Sequence, residues 1–102
     1  VIRLCIIGLG RMGAGYPEVG GEPRNHLAAA LATPGLEVTA LVDPDETRRA
    51  EAARHVPTAA CFADFSDVPA GSADLVIDAR PPADRTVLVR AAHGKGARAI
   101  LF

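Results

Sequence analysis

Apolar residues recur along this chain in short unbroken runs, separated by polar stretches that carry glycine or proline. The first run, Val1-Ile2-Arg3-Leu4-Cys5-Ile6-Ile7, stops at Gly8. It is continuous rather than alternating, which predicts a strand buried on both faces, as in a parallel sheet. Runs of the same kind predict strands at 36–42, 73–79 and 97–102, with a shorter one at 59–62. The segments between them have helical character. Residues 26–32 are good helix formers that Pro23 can precede and that Thr33-Pro34-Gly35 stops. Residues 44–55 are charged, with Ala50 and Ala53 spaced for one apolar stripe. Residues 64–68 suit a single helical turn. Pro81-Pro82 breaks the fourth strand and starts a helix to about His93, which Gly94 and Gly96 end. Strand and helix alternate with short connections. That order predicts an α/β fold, a doubly wound parallel sheet of five strands with helices on both faces.

Composition narrows this picture. The 102 residues are enough for one domain. Aromatics are only 4% of the chain, so the core is built from Ala, Val, Leu and Ile, which suits thin helix–sheet packing. With 11 basic and 12 acidic residues spread along the chain, no basic stripe marks a nucleic-acid or membrane surface. No apolar run approaches the roughly 20 residues that span a bilayer. No signal-peptide pattern opens the sequence. Cys5 and Cys61 form no metal-spaced pair, and Cys5 reads as a small core residue. His26, His55 and His93 are isolated and read as surface or helix-end residues. The expected setting is cytoplasmic. The run at each end of the chain leads to the expectation that it is the N-terminal part of a longer polypeptide.

The most informative stretch is Gly8-Leu9-Gly10-Arg11-Met12-Gly13. Glycine-rich turns are common and many are plain surface turns. This one directly follows the first strand, as the Gly-x-Gly-x-x-Gly dinucleotide fingerprint requires. Gly8 permits the tight turn out of the strand. Gly10 lets a pyrophosphate approach the backbone, and Gly13 lets a helix pack closely on the sheet. Free N–H groups at that helix start then face the phosphates. No Lys-Ser or Lys-Thr follows, so this is not an ATP or GTP phosphate loop. Arg11, beside the turn, is a candidate phosphate contact.

Asp43 ends the second strand. An acidic residue there can accept hydrogen bonds from ribose hydroxyls and repels a 2′-phosphate, so it favours NAD over NADP. A helix N-cap before Pro44 fits Asp43 equally well. Arg48 and Arg49 read as solvated helix residues. From position 13 to position 43 is 30 residues, against about 20 in the fingerprint. The excess reads as an insertion between the glycine turn and the first helix, placed to fold over a cofactor. Asp78, closing the fourth strand, is placed to lie near the cofactor cleft but reads first as a cap or a solvated residue, and Lys95 reads as a solvated turn residue.

Several runs together resemble the glucose–fructose oxidoreductase and inositol dehydrogenase (Gfo/Idh/MocA) family. They are residues 2–13, His26-Leu27-Ala28-Ala29-Ala30-Leu31, Pro34-Gly35-Leu36-Glu37-Val38 and Val42-Asp43-Pro44-Asp45. Ala73-Asp74-Leu75-Val76-Ile77-Asp78-Ala79-Arg80-Pro81-Pro82 is similar to that family's fourth strand and the Thr-Pro-Pro end that follows it. The resemblance covers nearly the whole chain. It implies a Rossmann-type cofactor domain of a two-domain NAD(P)-dependent oxidoreductase acting on a sugar, polyol or related small molecule. It also implies a homo-oligomer built through the second domain. The cofactor-binding set is then Gly8, Leu9, Gly10, Arg11, Met12, Gly13 and Asp43, with Ala79, Arg80 and Pro81 at the end of the fourth strand. Two residues depart from the family: Arg80 stands where Thr is frequent, and Arg85 where His is usual. The family's Glu-Lys-Pro motif would follow the fifth strand, so no catalytic residue is assigned here. The departures keep open a non-catalytic dinucleotide-binding or sensing module, and the opening run also fits amino-acid or homoserine dehydrogenases.

Overall fold

The computed structural model describes residues 1–10, 25–81 and 83–102. Its strands are β1 (Ile2–Ile7), β2 (Leu36–Val42), β3 (Ala60–Phe62), β4 (Leu75–Asp78) and β5 (Ala99–Leu101). They form one all-parallel sheet in the order β3-β2-β1-β4-β5. The chain therefore winds outward from β1 to β3, crosses back beside β1, and winds outward again to β5. This is the doubly wound, Rossmann-type sheet. Its order reverses between β1 and β4, where such sheets open a crevice beyond the strand ends.

The continuous apolar run of β1 has its reason in two cores. Leu4 and Ile6 pack on one face with Leu27 and Ala30 of α1 (His26–Leu31) and Ala52 of α2 (Glu46–Ala53). Cys5 and Ile7 pack on the other with Phe65 and with Leu88 and Ala92 of α3 (Thr86–Gly94). Side chains alternate faces along a strand, so both sets must be apolar. One irregularity adjusts β2. Leu4 lies opposite Val38 but Cys5 lies opposite Ala40, so Thr39 is an extra residue. Its hydroxyl donates to the Ser72 carbonyl at 2.8 Å. The bulge flips the later residues: Val38 and Leu41 share the first core, while Ala40 and Val42 share the second.

Two helices start later than the sequence predicts, α2 through a side-chain cap and α3 without one. Helix α2 begins at Glu46, and its N-cap is Asp45, not Asp43. The Asp45 carboxylate accepts from the N–H groups of Thr47 (2.8 Å) and Arg48 (3.1 Å). Helix α3 begins at Thr86, not at the proline pair. Arg80 and Pro81 each precede a proline, which disfavours helical backbone, and the Asp84 carboxylate then accepts from the Thr86 N–H at 2.9 Å. Asn25 caps α1 through Ala28 N–H at 2.7 Å. After α3, Gly96 turns left-handed at φ +91°. The predicted turn at 64–68 is a 3-10 turn over Phe65–Asp67, closed by the Asp64 carboxylate. Pro23 and the expected insertion after Gly13 lie outside the described residues.

Candidate functional site

Beyond the carboxyl ends of β1, β2, β3 and β4 lies a cleft of about 730 Å³. It brings together Gly8 and Gly10 from the turn after β1, Asp43 after β2, and Ala79, Arg80 and Pro81 after β4. Arg11, Met12 and Gly13 lie outside the described residues. Leu9 behaves differently from its neighbours: its side chain is buried in the first core.

Gly8 is where the sequence reading meets a hard steric fact. Its φ is +87°, and a Cβ there would sit 3.0 Å from both the Arg80 backbone nitrogen and Arg80 Cγ. The left-handed backbone strains any side chain there, and a Cβ would press on the Arg80 backbone. Gly10 is open by contrast. A Cβ there would meet only Arg48 Nη1 at 3.7 Å and Cζ at 4.0 Å, so glycine at this position leaves room rather than relieving a clash.

Asp43 is almost wholly buried, its side chain 5% exposed. Oδ2 accepts the Leu9 N–H at 2.8 Å, and Oδ1 accepts the Asp45 N–H at 2.8 Å. The carboxylate thus pins the glycine turn to the end of β2. Arg48 Nη1 lies 4.0 Å from Oδ2. Arg49 Nη1 donates to the carbonyls of Asp43 (2.7 Å) and Pro44 (3.1 Å). Arg48 is exposed, as expected of a solvated helix residue, but it also lines the cleft, while Arg49 clasps the backbone at Asp43 and Pro44.

Asp78 corrects the sequence reading more sharply. It is 2% exposed and sits between two guanidinium groups. Oδ1 accepts the Arg80 N–H at 3.1 Å and Nε–H at 2.8 Å. Oδ2 accepts Arg80 Nη2 at 3.0 Å and Arg85 Nε at 2.9 Å. Burial alone pushes the Asp78 carboxyl up, but hydrogen bonds from Arg80 and then Arg85 outweigh it and hold it below the usual carboxylate range. A strand-end aspartate reads as a cap because no local signal brings Arg85, seven positions on, back to it. Asp64, at the β3 side of the cleft, was also missed; its Asp-x-Ser spacing to Ser66 was the available clue. Lys95 is no solvated turn residue either. Its ammonium donates to the carbonyls of Ser66 and Val68 and lies 5.5 Å from the Phe65 ring, which ties the 3-10 turn to the end of α3. Among the described residues no group of His, Cys, Asp and Glu is placed to hold a metal ion, and no helix is long and apolar enough to cross a membrane.

No family model and no curated protein matches this chain. Solved structures do. The chain superposes on scyllo-inositol dehydrogenase from Lactobacillus casei, which holds NAD(H) and scyllo-inositol, with a TM-score of 0.75 and 20% identity over 96% of this chain and 26% of that one. A 3-ketoreductase variant from Actinomadura kijaniata, in complex with TDP-benzene and NADP, gives 0.74 and 18% over 98% and 28%. An oxidoreductase from Agrobacterium radiobacter, with NAD+, L-tartaric acid and magnesium, gives 0.71 and 20% over 98% and 27%. The likeness establishes the fold. The chain spans about a quarter of the length of these proteins.

Proposed function

We propose that this chain is the cofactor-binding part of an NAD(P)-dependent oxidoreductase of the glucose–fructose oxidoreductase and inositol dehydrogenase type, acting on a sugar, polyol or related carbonyl or alcohol. It would form the first domain of a longer two-domain chain. The observation that carries this reading is the cradle at Gly8. A left-handed glycine whose Cβ would crowd the Arg80 backbone closes one side of an open cleft at the point where the strand order reverses. That is the position at which a doubly wound sheet receives a dinucleotide. The superposed proteins that hold NAD(H), NAD+ and NADP support the same reading.

In this reading Gly8 and Gly10 let the pyrophosphate approach the backbone. Arg11, Met12 and Gly13 complete the turn. Asp43 holds the turn in place and meets the adenosine ribose. Ala79, Arg80 and Pro81 line the nicotinamide side. The nicotinamide, when bound, supplies or accepts the hydride. The chain's own contribution is position: a fixed turn, a buried anchor at Asp43 and a rigid sheet edge. NAD is the expected cofactor, and the half-exposed Arg48 next to Asp43 leaves NADP as a weaker ligand.

Gly10→Ala tests this reading, because the fold leaves space for the methyl group. Calorimetric titration of the native chain should show NAD binding more tightly than NADP. The variant should unfold at the same urea concentration yet bind NAD about tenfold or more weakly, since the methyl group occupies the pyrophosphate's approach. A folded native chain that binds neither dinucleotide would overturn the proposal.

A further inference from the structure

The second arginine on Asp78 has no counterpart in the cofactor reading. The Asp78 carboxylate accepts four hydrogen bonds, two on each oxygen, which fills its lone-pair positions. One negative charge therefore faces two guanidinium groups. Among the described residues, Asp78 is the only ion-pair partner of Arg80 and of Arg85. The nearby carboxylates are committed elsewhere: Asp64 to the Ser66 N–H and Asp84 to the Thr86 N–H and hydroxyl. Asp64 attracts Arg80 only at longer range, from an exposed position. Within the triad itself the formal charges leave one positive charge in excess.

That charge is fixed and accessible. Arg80 is held by Nε and Nη2, while Nη1 makes no hydrogen bond to any described residue. Its side chain is 48% exposed and lines the cleft beside Gly8. Arg85 is only 21% exposed. Its Nη2 donates to the Arg80 carbonyl at 3.2 Å, and its guanidinium lies 4.8 Å from the centre of the Phe102 ring. Arg85 thus acts as a positioning residue, bracing the backbone and the carboxylate that hold Arg80. A guanidinium held before a ligand arrives loses little freedom on binding, and its planar fork matches a carboxylate.

We propose that Asp78, Arg80 and Arg85 form an anion-binding triad at the β1–β4 switch point, and that it takes the carboxylate of an acidic substrate, such as a sugar acid or other hydroxy acid. This rests on the oxidoreductase reading and narrows its substrate class. The same chemistry would suit a dinucleotide phosphate, so the test separates the two sources.

The probes are D-gluconate and sorbitol, which differ by a carboxylate against a hydroxymethyl group. Each is titrated calorimetrically into the purified chain, with and without saturating NAD. Gluconate should bind about tenfold or more tightly than sorbitol, and the preference should shrink as salt rises. Arg80→Gln and Arg85→Gln should each remove most of that preference, with the loss for gluconate exceeding any loss for NAD. Arg80→Lys, which keeps the charge without the fork, should retain part of it and decides the matter if the glutamine variants fail to fold. Equal affinity for gluconate and sorbitol, in a chain that binds NAD, overturns the triad's role and leaves the oxidoreductase reading intact. A loss in Arg80→Gln that falls mainly on NAD assigns the charge to the cofactor and overturns the substrate site. A native chain that binds gluconate but neither NAD nor NADP overturns the oxidoreductase reading and supports the anion site on its own.

Discussion

At the scale of single residues, two aspartates at strand ends hold most of the site's geometry, and they do so differently. Asp78 pairs with two arginines and neutralises one of their two charges. Asp43 carries its charge among backbone N–H groups and fixes the glycine turn. The second role means that removing Asp43 is more than the loss of a ribose contact. Asp43→Ala should lower the stability of the ligand-free chain by about 1–3 kcal/mol, because the buried Leu9 N–H loses its partner. Asp43→Asn, which keeps one acceptor oxygen, should cost less. Urea unfolding of both variants checks this; an Asp43→Ala midpoint equal to that of the native chain would mean the carboxylate serves a ligand alone. Cys5 illustrates the opposite extreme. It is fully buried, and burial pushes its thiol up to about 12, so it acts as a small apolar residue between β1 and its neighbours.

At the scale of elements, the site depends on where helices begin. The two residues between Asp43 and Glu46 let Asp43 turn inward to Leu9 while Asp45 caps α2. Had Asp43 capped the helix, its oxygens would be spent on α2 and the glycine turn would lose its anchor. Asp45→Ala should therefore cost about 1 kcal/mol through the lost cap. Circular dichroism with thermal unfolding would measure it, and an unchanged midpoint would place the cap elsewhere. The late start of α3 matters in the same way. The described residues between β4 and Thr86 are neither strand nor helix, and Arg85 at the helix start reaches back onto Asp78.

At the scale of the whole molecule, charge pairs sit at both ends of β4. Opposite the cleft, the Asp74 carboxylate accepts from the Arg3 N–H (3.0 Å), Nε (3.3 Å) and Nη2 (3.1 Å). Arg3 holds Asp74 below the usual carboxylate range, first through its side chain and then through its N–H. Asp78 at the other end is depressed as well. Depressed carboxylates stabilise the fold above their unfolded pKa of about 4, and that contribution is lost as pH falls through the folded values. The urea midpoint should stay level from pH 7 to about 5 and fall below about pH 4. A midpoint that rose on acidification would contradict these pairings.

How much of this was legible beforehand depends on the range of the interaction. The sequence alone determined the elements, their alternation and the parallel sheet, because strand runs, helix stops and proline breaks are written within a few residues. It also marked Gly8, since the turn directly after a buried strand needs glycine, and Gly10, as the open position a pyrophosphate could approach. The strand register, the bulge at Thr39 and which residues meet in each core came from tertiary structure. So did the meaning of the charged residues. A carboxylate at a strand end reads alike whether it caps a helix, meets solvent or pairs with a distant arginine. Leu9 and Asp43 are far apart in sequence, as are Arg3 and Asp74, and only the packed sheet brings each pair within hydrogen-bonding distance. Local pattern fixes where the backbone pairs; burial decides which charges must find a partner and what is left uncompensated at the cleft.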